Sequence, residues 1–307
     1  MTQHLQIPNL EKPVSRLVLG VDNQTEFAPA MAVFDDFVLR GGNAFDTARI
    51  YGGGACEAVF GAWLTARGIR DQVVVIGKGG HTPHCTPEAL TAQLHISLER
   101  LKTDHVDVYM LHRDNLEVPV GEFVDVLNEH ARAGRIRTFG GSNWSLERVQ
   151  AANEYAGAHG LQGFSVLSNN FSLARMIDPV WSGCLSVSDV DSRRWLTATQ
   201  MTLLPWSSQA RGFFVRAKTD FLEDEELVRC WYSPDNFERL SRARELATER
   251  DVTPIQIALA YVLHQPFPTI PLIGPRSTAE TASSFAGLEV RLSPTEVQWL
   301  NLELAER

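Results

Sequence analysis

The 307-residue sequence predicts an α/β fold: a single (β/α)8 (TIM) barrel domain spanning 1–307, with long loops at the face where the strands end. Three observations carry this. Eight short strand-like runs alternate with longer amphipathic runs along the chain. The strand-like runs are almost continuously apolar, as parallel strands covered on both faces are. No G-x-G-x-x-G follows the first strand, where an open doubly wound sheet usually places one.

The elements follow in order. "RLVLG" (16–20) reads as the first strand, and 29–39 has apolar residues at helical spacing. "NAFDTA" (43–48) is the second strand, and "CEAVFGAWLTARG" is a helix stopped by glycine. "QVVVIGK" (72–78) is the third strand. The helix 86–101 opens with Thr86 as N-cap, Pro87 at the first helical position and Glu88 in the first turn. "HVDVYMLH" (105–112) and the helix 120–134 form the fourth unit. "IRTFGGSN" (136–143) and a helix opened by Ser145 form the fifth. "FSVLSNN" (164–170) is the sixth strand, followed by an irregular stretch over 171–199. "MTLLPWSS" (201–208) is the seventh strand, two helices lie between 235 and 265, "PTIPLIG" (268–274) is the eighth strand, and helical sequence closes the chain.

Composition narrows the function. The sequence is 44% hydrophobic and 21% charged, ordinary for a soluble globular protein. Its net charge of −9 argues against nucleic acid or an anionic membrane as partner, since both need clustered Lys and Arg. The four cysteines show no C-x-x-C and no zinc spacing, so no metal is expected and free thiols in a reducing cytosol are. With no signal-peptide core and no run of membrane-span length, the expected location is cytoplasmic.

In a TIM barrel the active site lies at the C-terminal ends of the strands. Asp46 falls at the end of the second strand with Tyr51 just beyond it, Lys78 ends the third, and His112 ends the fourth. A tyrosine with a free pKa of about 10 is a weak proton donor at neutral pH, and a nearby ammonium favours its phenolate. Lys78 is expected to play that part, Asp46 to hold Lys78 charged, and His112 to orient a carbonyl by hydrogen bonding. The set suits protonation of a carbonyl oxygen while hydride reaches the carbon. It offers neither a Ser-His-Asp triad nor a carboxylate pair for glycoside hydrolysis.

"FDTARIYGGG…E", "IGK", "YMLHRD", "GGSNW" and "PLIGPRSTAE" occur in the order and spacing of the aldo-keto reductase superfamily, which the chain resembles from about residue 14 to 300. The resemblance implies a catalytic tetrad of Asp46, Tyr51, Lys78 and His112, and an NADPH cofactor bound without a Rossmann fold, with NADH possible. Ser142 and Asn143 match the pair that holds the nicotinamide carboxamide. The usual glutamine on the sixth strand is replaced by Ser168, and Asn169 is expected to compensate. Trp206 stands where an aromatic ring stacks on the nicotinamide. Ser207, Gln209, Arg211 and Gly212 fall in the loop over the pyrophosphate. Gly274, Arg276, Ser277 and Glu280 fall at the adenosine-phosphate site. Arg276 suits a 2′-phosphate, whereas Glu280 suits a free 2′-hydroxyl.

The substrate loops offer Asp22, Asn23, His81, Arg113 and Trp144, polar groups beside an aromatic, which suit a sugar-like or other polar carbonyl. The partner expected is thus a small-molecule carbonyl. Two alternatives stay open: a Schiff-base aldolase with Lys78 as nucleophile, and a nucleotide-sensing, non-catalytic subunit.

Overall fold

A computed structural model describes residues 4–307, which fall into two compact units. The first comprises the chain through Ser168 with Gly274–Thr278; the second comprises Asn169–Ile273 and Ala279–Arg307.

The first unit opens with β1 (His4–Leu5) paired antiparallel with β2 (Val14–Ser15), two short strands that the sequence pattern did not announce. Six strands then alternate with helices: β3 (Val18–Gly20), α1 (Phe27–Leu39), β4 (Ala44–Asp46), α2 (Ala55–Arg67), β5 (Val74–Gly79), α3 (Pro87–Leu101), β6 (Val106–Leu111), α4 (Val120–Arg132), β7 (Ile136–Ser142), α5 (Leu146–Ala158) and β8 (Val166–Ser168). Each strand pairs in parallel with the next. The intervening helix supplies the crossover that a parallel pair requires. Every residue of β4, β5 and β6 is buried, which is why those runs read as continuously apolar.

Local signals set the helix ends. Thr86 caps α3 by accepting from the Ala89 N–H, and Ser145 caps α5 by accepting from the Arg148 N–H. Gly68 stops α2 in a left-handed conformation with its N–H on the Leu64 carbonyl. Between α1, α2 and β4 sits an aromatic cluster: Phe34, Phe37, Phe45, Phe60 and Trp63, all fully buried with neighbouring centroids 4.9–5.7 Å apart. Each such ring contributes about 1.5–3 kcal/mol by leaving water. The cluster anchors β4, whose last residue is Asp46. Gly61 lets α2 approach α3, since a Cβ there would collide with the Arg100 carbonyl.

The second unit holds α6 (Val190–Thr199), β9 (Thr202–Leu203), α7 (Phe213–Arg216), α8 (Glu225–Trp231), α9 (Pro234–Arg250), α10 (Pro254–Leu263), β10 (Leu272–Ile273), most of α11 (Thr278–Gly287) and α12 (Pro294–Leu300). The two helices expected between 235 and 265 are present as α9 and α10. The irregular stretch 171–199 is corrected, because its last ten residues form α6. Only Leu196 of that helix is buried, so no apolar stripe marked it, though Asp189 caps it through the Ser192 N–H. The seventh and eighth strands are shorter than expected. Leu203 pairs with the 268–270 segment, but Pro205, Pro268 and Pro271 have no N–H to extend the ladder.

Among the described residues no helix is long and apolar enough to cross a membrane, and all four cysteines are buried free thiols.

Candidate active site

The register of the first unit sets the site. Gly20 lies opposite Asp46, Asp46 opposite Ile76, and Lys78 opposite Met110. Asp46 thus ends β4, Lys78 is the penultimate residue of β5, and His112 directly follows β6, three adjacent strands. Asp46 and Lys78 are each 2% exposed. Lys78 Nζ lies 2.5 Å from both Asp46 carboxylate oxygens, 3.3 Å from the Thr47 carbonyl and 3.2 Å from the Tyr51 hydroxyl. The Tyr51 and His112 rings meet edge to face, 5.7 Å apart at 88°. The structure thus brings all four expected catalytic residues together. Thr47, not singled out in the sequence, joins them through its backbone carbonyl, and no side-chain pattern could have marked it.

The electrostatics sort the roles. Desolvation raises the Tyr51 phenol well above its ordinary value, and the charges of Asp46 and Asp22 push the same way against Arg113. The lowering expected from Lys78 is reversed, because Asp46 takes up the ammonium and burial dominates. Tyr51 accordingly holds its proton at neutral pH. Desolvation also takes His112 well below its ordinary value, with Lys78, Arg113 and His81 adding to the effect, so its imidazole is neutral. Burial raises the Asp46 carboxyl against the pull of Lys78. Lys78 Nζ is thus surrounded by four oxygen atoms, two of them from the Asp46 carboxylate.

Ser142 ends β7, with Asn143 next in a left-handed conformation. Ser142 Oγ donates to the Ser168 carbonyl at 2.9 Å, and the Asn143 amide donates to Ser142 Oγ at 3.1 Å. A hydroxyl and a carboxamide held side by side are the donor and acceptor set that a nicotinamide carboxamide needs, so the residues fit that group. Ser168 is fully buried where a glutamine was expected, and its contribution here is its carbonyl.

Asn169, Trp206, Ser207, Gln209, Arg211 and Gly212 belong to the second unit. Asn169 is 1% exposed. Asn170 bridges Trp206 in parallel and donates to its carbonyl at 3.1 Å. The Trp206 ring lies 5.8 Å from Trp181. Ser207, Ala210 and Arg211 have positive φ, a strained backbone for non-glycine residues, and Gly212 adopts positive φ freely. Arg211 is occupied, pairing with Glu226 at 2.5 Å and lying over the Trp181 ring. Glu280 is exposed on α11.

Gly274, Arg276 and Ser277 lie on an exposed turn leading into α11, and a Cβ at Gly274 would meet open space. Two hydrogen bonds hold this turn: Asn23 donates to the Gly274 carbonyl at 3.3 Å and Gln24 to the Pro275 carbonyl at 3.0 Å. Asn23, expected at the substrate, also braces this turn. Gln24 was missed, although a glutamine only 5% exposed must find partners.

Of the remaining substrate-side residues, Asp22 is exposed and its charge acts on Tyr51 and Asp46. The His81 ring stands 5.0 Å from His112. Arg113 is buried and donates to the His112 carbonyl at 2.8 Å. Trp144 is a correction: none of its surface is exposed, and its indole N–H donates to the Arg113 carbonyl, so it supports Arg113 and presents no wall to a substrate. Gln93, also missed, accepts from the Gly80 N–H at 2.9 Å and fixes the backbone ahead of His81.

Comparison with known proteins shows the family and the fold. The sequence model of the Aldo/keto reductase family matches residues 17–301. A norsolorinic acid reductase of Emericella nidulans is 28% identical over 283 residues, covering 87% of this chain and 70% of the relative. An aldo-keto reductase of Schizosaccharomyces pombe, named with NADP(+), is 25% identical, covering 83% and 76%. Among solved structures, a thermostable aldo-keto reductase bound to the inhibitor epalrestat superposes with a TM-score of 0.76 at 20% identity, covering 98% of this chain and 99% of that one. The expected (β/α)8 fold class is borne out.

Proposed function

The chain belongs to the aldo/keto reductase family and is a nicotinamide-dependent oxidoreductase, and from that premise we propose that it reduces an aldehyde or ketone to the alcohol with NADPH, using Tyr51 as the general acid. The observation that carries this reading is the ammonium of Lys78, seated on the Asp46 carboxylate and 3.2 Å from the Tyr51 hydroxyl.

When bound, the nicotinamide supplies hydride to the carbonyl carbon. The chain's own residues handle the proton. Tyr51 arrives protonated and donates to the carbonyl oxygen. The phenolate it leaves is stabilised by Lys78, which Asp46 keeps charged and aimed. The neutral His112 imidazole donates a hydrogen bond to the same substrate oxygen and sets its approach. Ser142, Asn143 and Asn169 are assigned to the nicotinamide carboxamide, Trp206 to its ring, and Ser207, Gln209, Arg211 and Gly212 to the pyrophosphate. Gly274, Arg276, Ser277 and Glu280 are assigned to the adenosine end. Arg276, exposed on its braced turn, favours the 2′-phosphate and hence NADPH over NADH. Asp22, His81 and Arg113 favour a carbonyl flanked by polar groups, such as a sugar-like one.

Two measurements test the reading: quenching of tryptophan fluorescence by NADPH and by NADH, then NADPH oxidation with 4-nitrobenzaldehyde and with glyceraldehyde. Saturable quenching by NADPH with turnover of either carbonyl supports it. Tight nucleotide binding without turnover on any carbonyl would favour the non-catalytic sensor. Borohydride trapping of a carbonyl on Lys78 would favour the aldolase.

A further inference from the structure

The loop between β4 and α2 carries Tyr51, and three successive glycines in it have positive φ: Gly52 at 55°, Gly53 at 66° and Gly54 at 103°. Such backbone has little steric restraint of its own. Backbone bonds from the Arg49 N–H to the Lys78 carbonyl at 3.2 Å and from the Tyr51 N–H to the Ala48 carbonyl at 3.1 Å restrain the loop, and keeping the hydroxyl 3.2 Å from Lys78 Nζ also needs its two ends held.

Arg100, in the last turn of α3, is placed to do so. Its guanidinium donates to the Arg49 carbonyl at 3.0 Å, at the start of the loop. The same group covers Gly54 at the loop's end so closely that a Cβ there would collide with it. Glu57, in the first turn of α2 and fully buried, pairs with the same guanidinium nitrogen at 3.4 Å. Burial raises the Glu57 carboxyl above its ordinary value, against the pull of Ser97, Arg100 and Arg49. A buried carboxylate is costly without partners. This one holds a guanidinium that touches both ends of one six-residue loop. Neither Arg100 nor Glu57 hydrogen-bonds to Tyr51, so any effect on the phenol passes through the backbone.

We propose that Arg100, held by Glu57, is a positioning residue for Tyr51, clamping residues 49–54 so that the phenol stays in proton-transfer geometry. The proposal rests on the reading of Tyr51 as the acid.

The test is a double-mutant cycle with NADPH and 4-nitrobenzaldehyde. Arg100→Met is expected to lower kcat by up to roughly 10²-fold, the scale of an ångström-sized misplacement. KM and the NADPH Kd stay unchanged. A larger solvent deuterium isotope effect on kcat marks proton transfer as the slowed step. Arg100→Lys recovers part of the loss, and Glu57→Gln shows a smaller loss of the same kind. In a Tyr51→Phe background Arg100→Met removes nothing further. An equal fold-loss in both backgrounds would overturn the proposal, as would wild-type kcat in both Arg100→Met and Glu57→Gln. If Arg100→Met does not fold, the Glu57→Gln cycle decides by the same criteria. Wild-type kcat in Tyr51→Phe alone would overturn the acid assignment itself, a failure read separately from that of the clamp.

Discussion

The ends of β4, β5 and β6 and the turn Gly274–Ser277 serve the first unit in opposite ways. At the strand ends Asp46 and Lys78 are almost wholly removed from water and bonded to each other. On the turn Arg276 and Ser277 are exposed, and Gly274 faces open space. Proton transfer gains from fixed charges in a dry, preorganised setting. Recognition of a phosphate needs a cation it can reach from water. Under the function proposed above, the contrast separates the proton chemistry, assigned to the strand ends, from the choice of cofactor, assigned to the exposed turn.

Four measurements sharpen or break that contrast. Tyr51→Phe should lower kcat by about 10²–10⁴-fold, the range for a lost general acid, with NADPH binding unchanged by fluorescence. Comparable loss of nucleotide binding would erase the separation. Lys78→Met should cost about 3–5 kcal/mol in urea unfolding, since it strands a buried carboxylate. A loss below 1 kcal/mol, on the scale of about 0–1 kcal/mol for exposed pairs, would make the pair no tighter than a surface one. Arg276→Ala should raise the Kd for NADPH by about 10- to 100-fold, the value of hydrogen bonds to a charged group, and leave NADH alone. Equal effects on both would remove Arg276 from the 2′-phosphate.

The smallest effect is in pH. His112 has a folded pKa below its unfolded value of about 6.5. Its contribution to stability is therefore present above that pH and is lost as pH falls toward the folded pKa, at up to about 1.4 kcal/mol per pH unit. His112→Gln should flatten urea midpoints on the acid side of neutrality. An unchanged slope would mean the imidazole does not resist protonation.

Asp46, Lys78 and His112 were legible as polar residues at the C-terminal ends of three largely apolar strands, although β6 also carries a buried Asp107 near its start. Thr86 and Ser145 were legible as caps for the same local reason. What escaped depended on partners far away in sequence. The bond from Asn23 to the Gly274 carbonyl joins residues 251 apart, which no local pattern marks. Trp144 looked like a wall until its burial was known. The direction of the Tyr51 shift follows from its burial, with the charges of Asp46 and Asp22 adding to it, and no spacing reports burial. Helix α6 escaped because one buried leucine leaves no stripe.

The bonds from Asn23 and Gln24 to Gly274 and Pro275 span 251 residues. On the ribosome, the residues that form the tetrad emerge long before the turn that braces Arg276. Contacts of such long range form late and slow folding. For roughly half of synthesis the nascent chain therefore holds Asp46, Tyr51, Lys78 and His112 with the turn at Gly274 still to come. Gln24 meanwhile waits for an acceptor that only the final tenth or so of the polypeptide delivers.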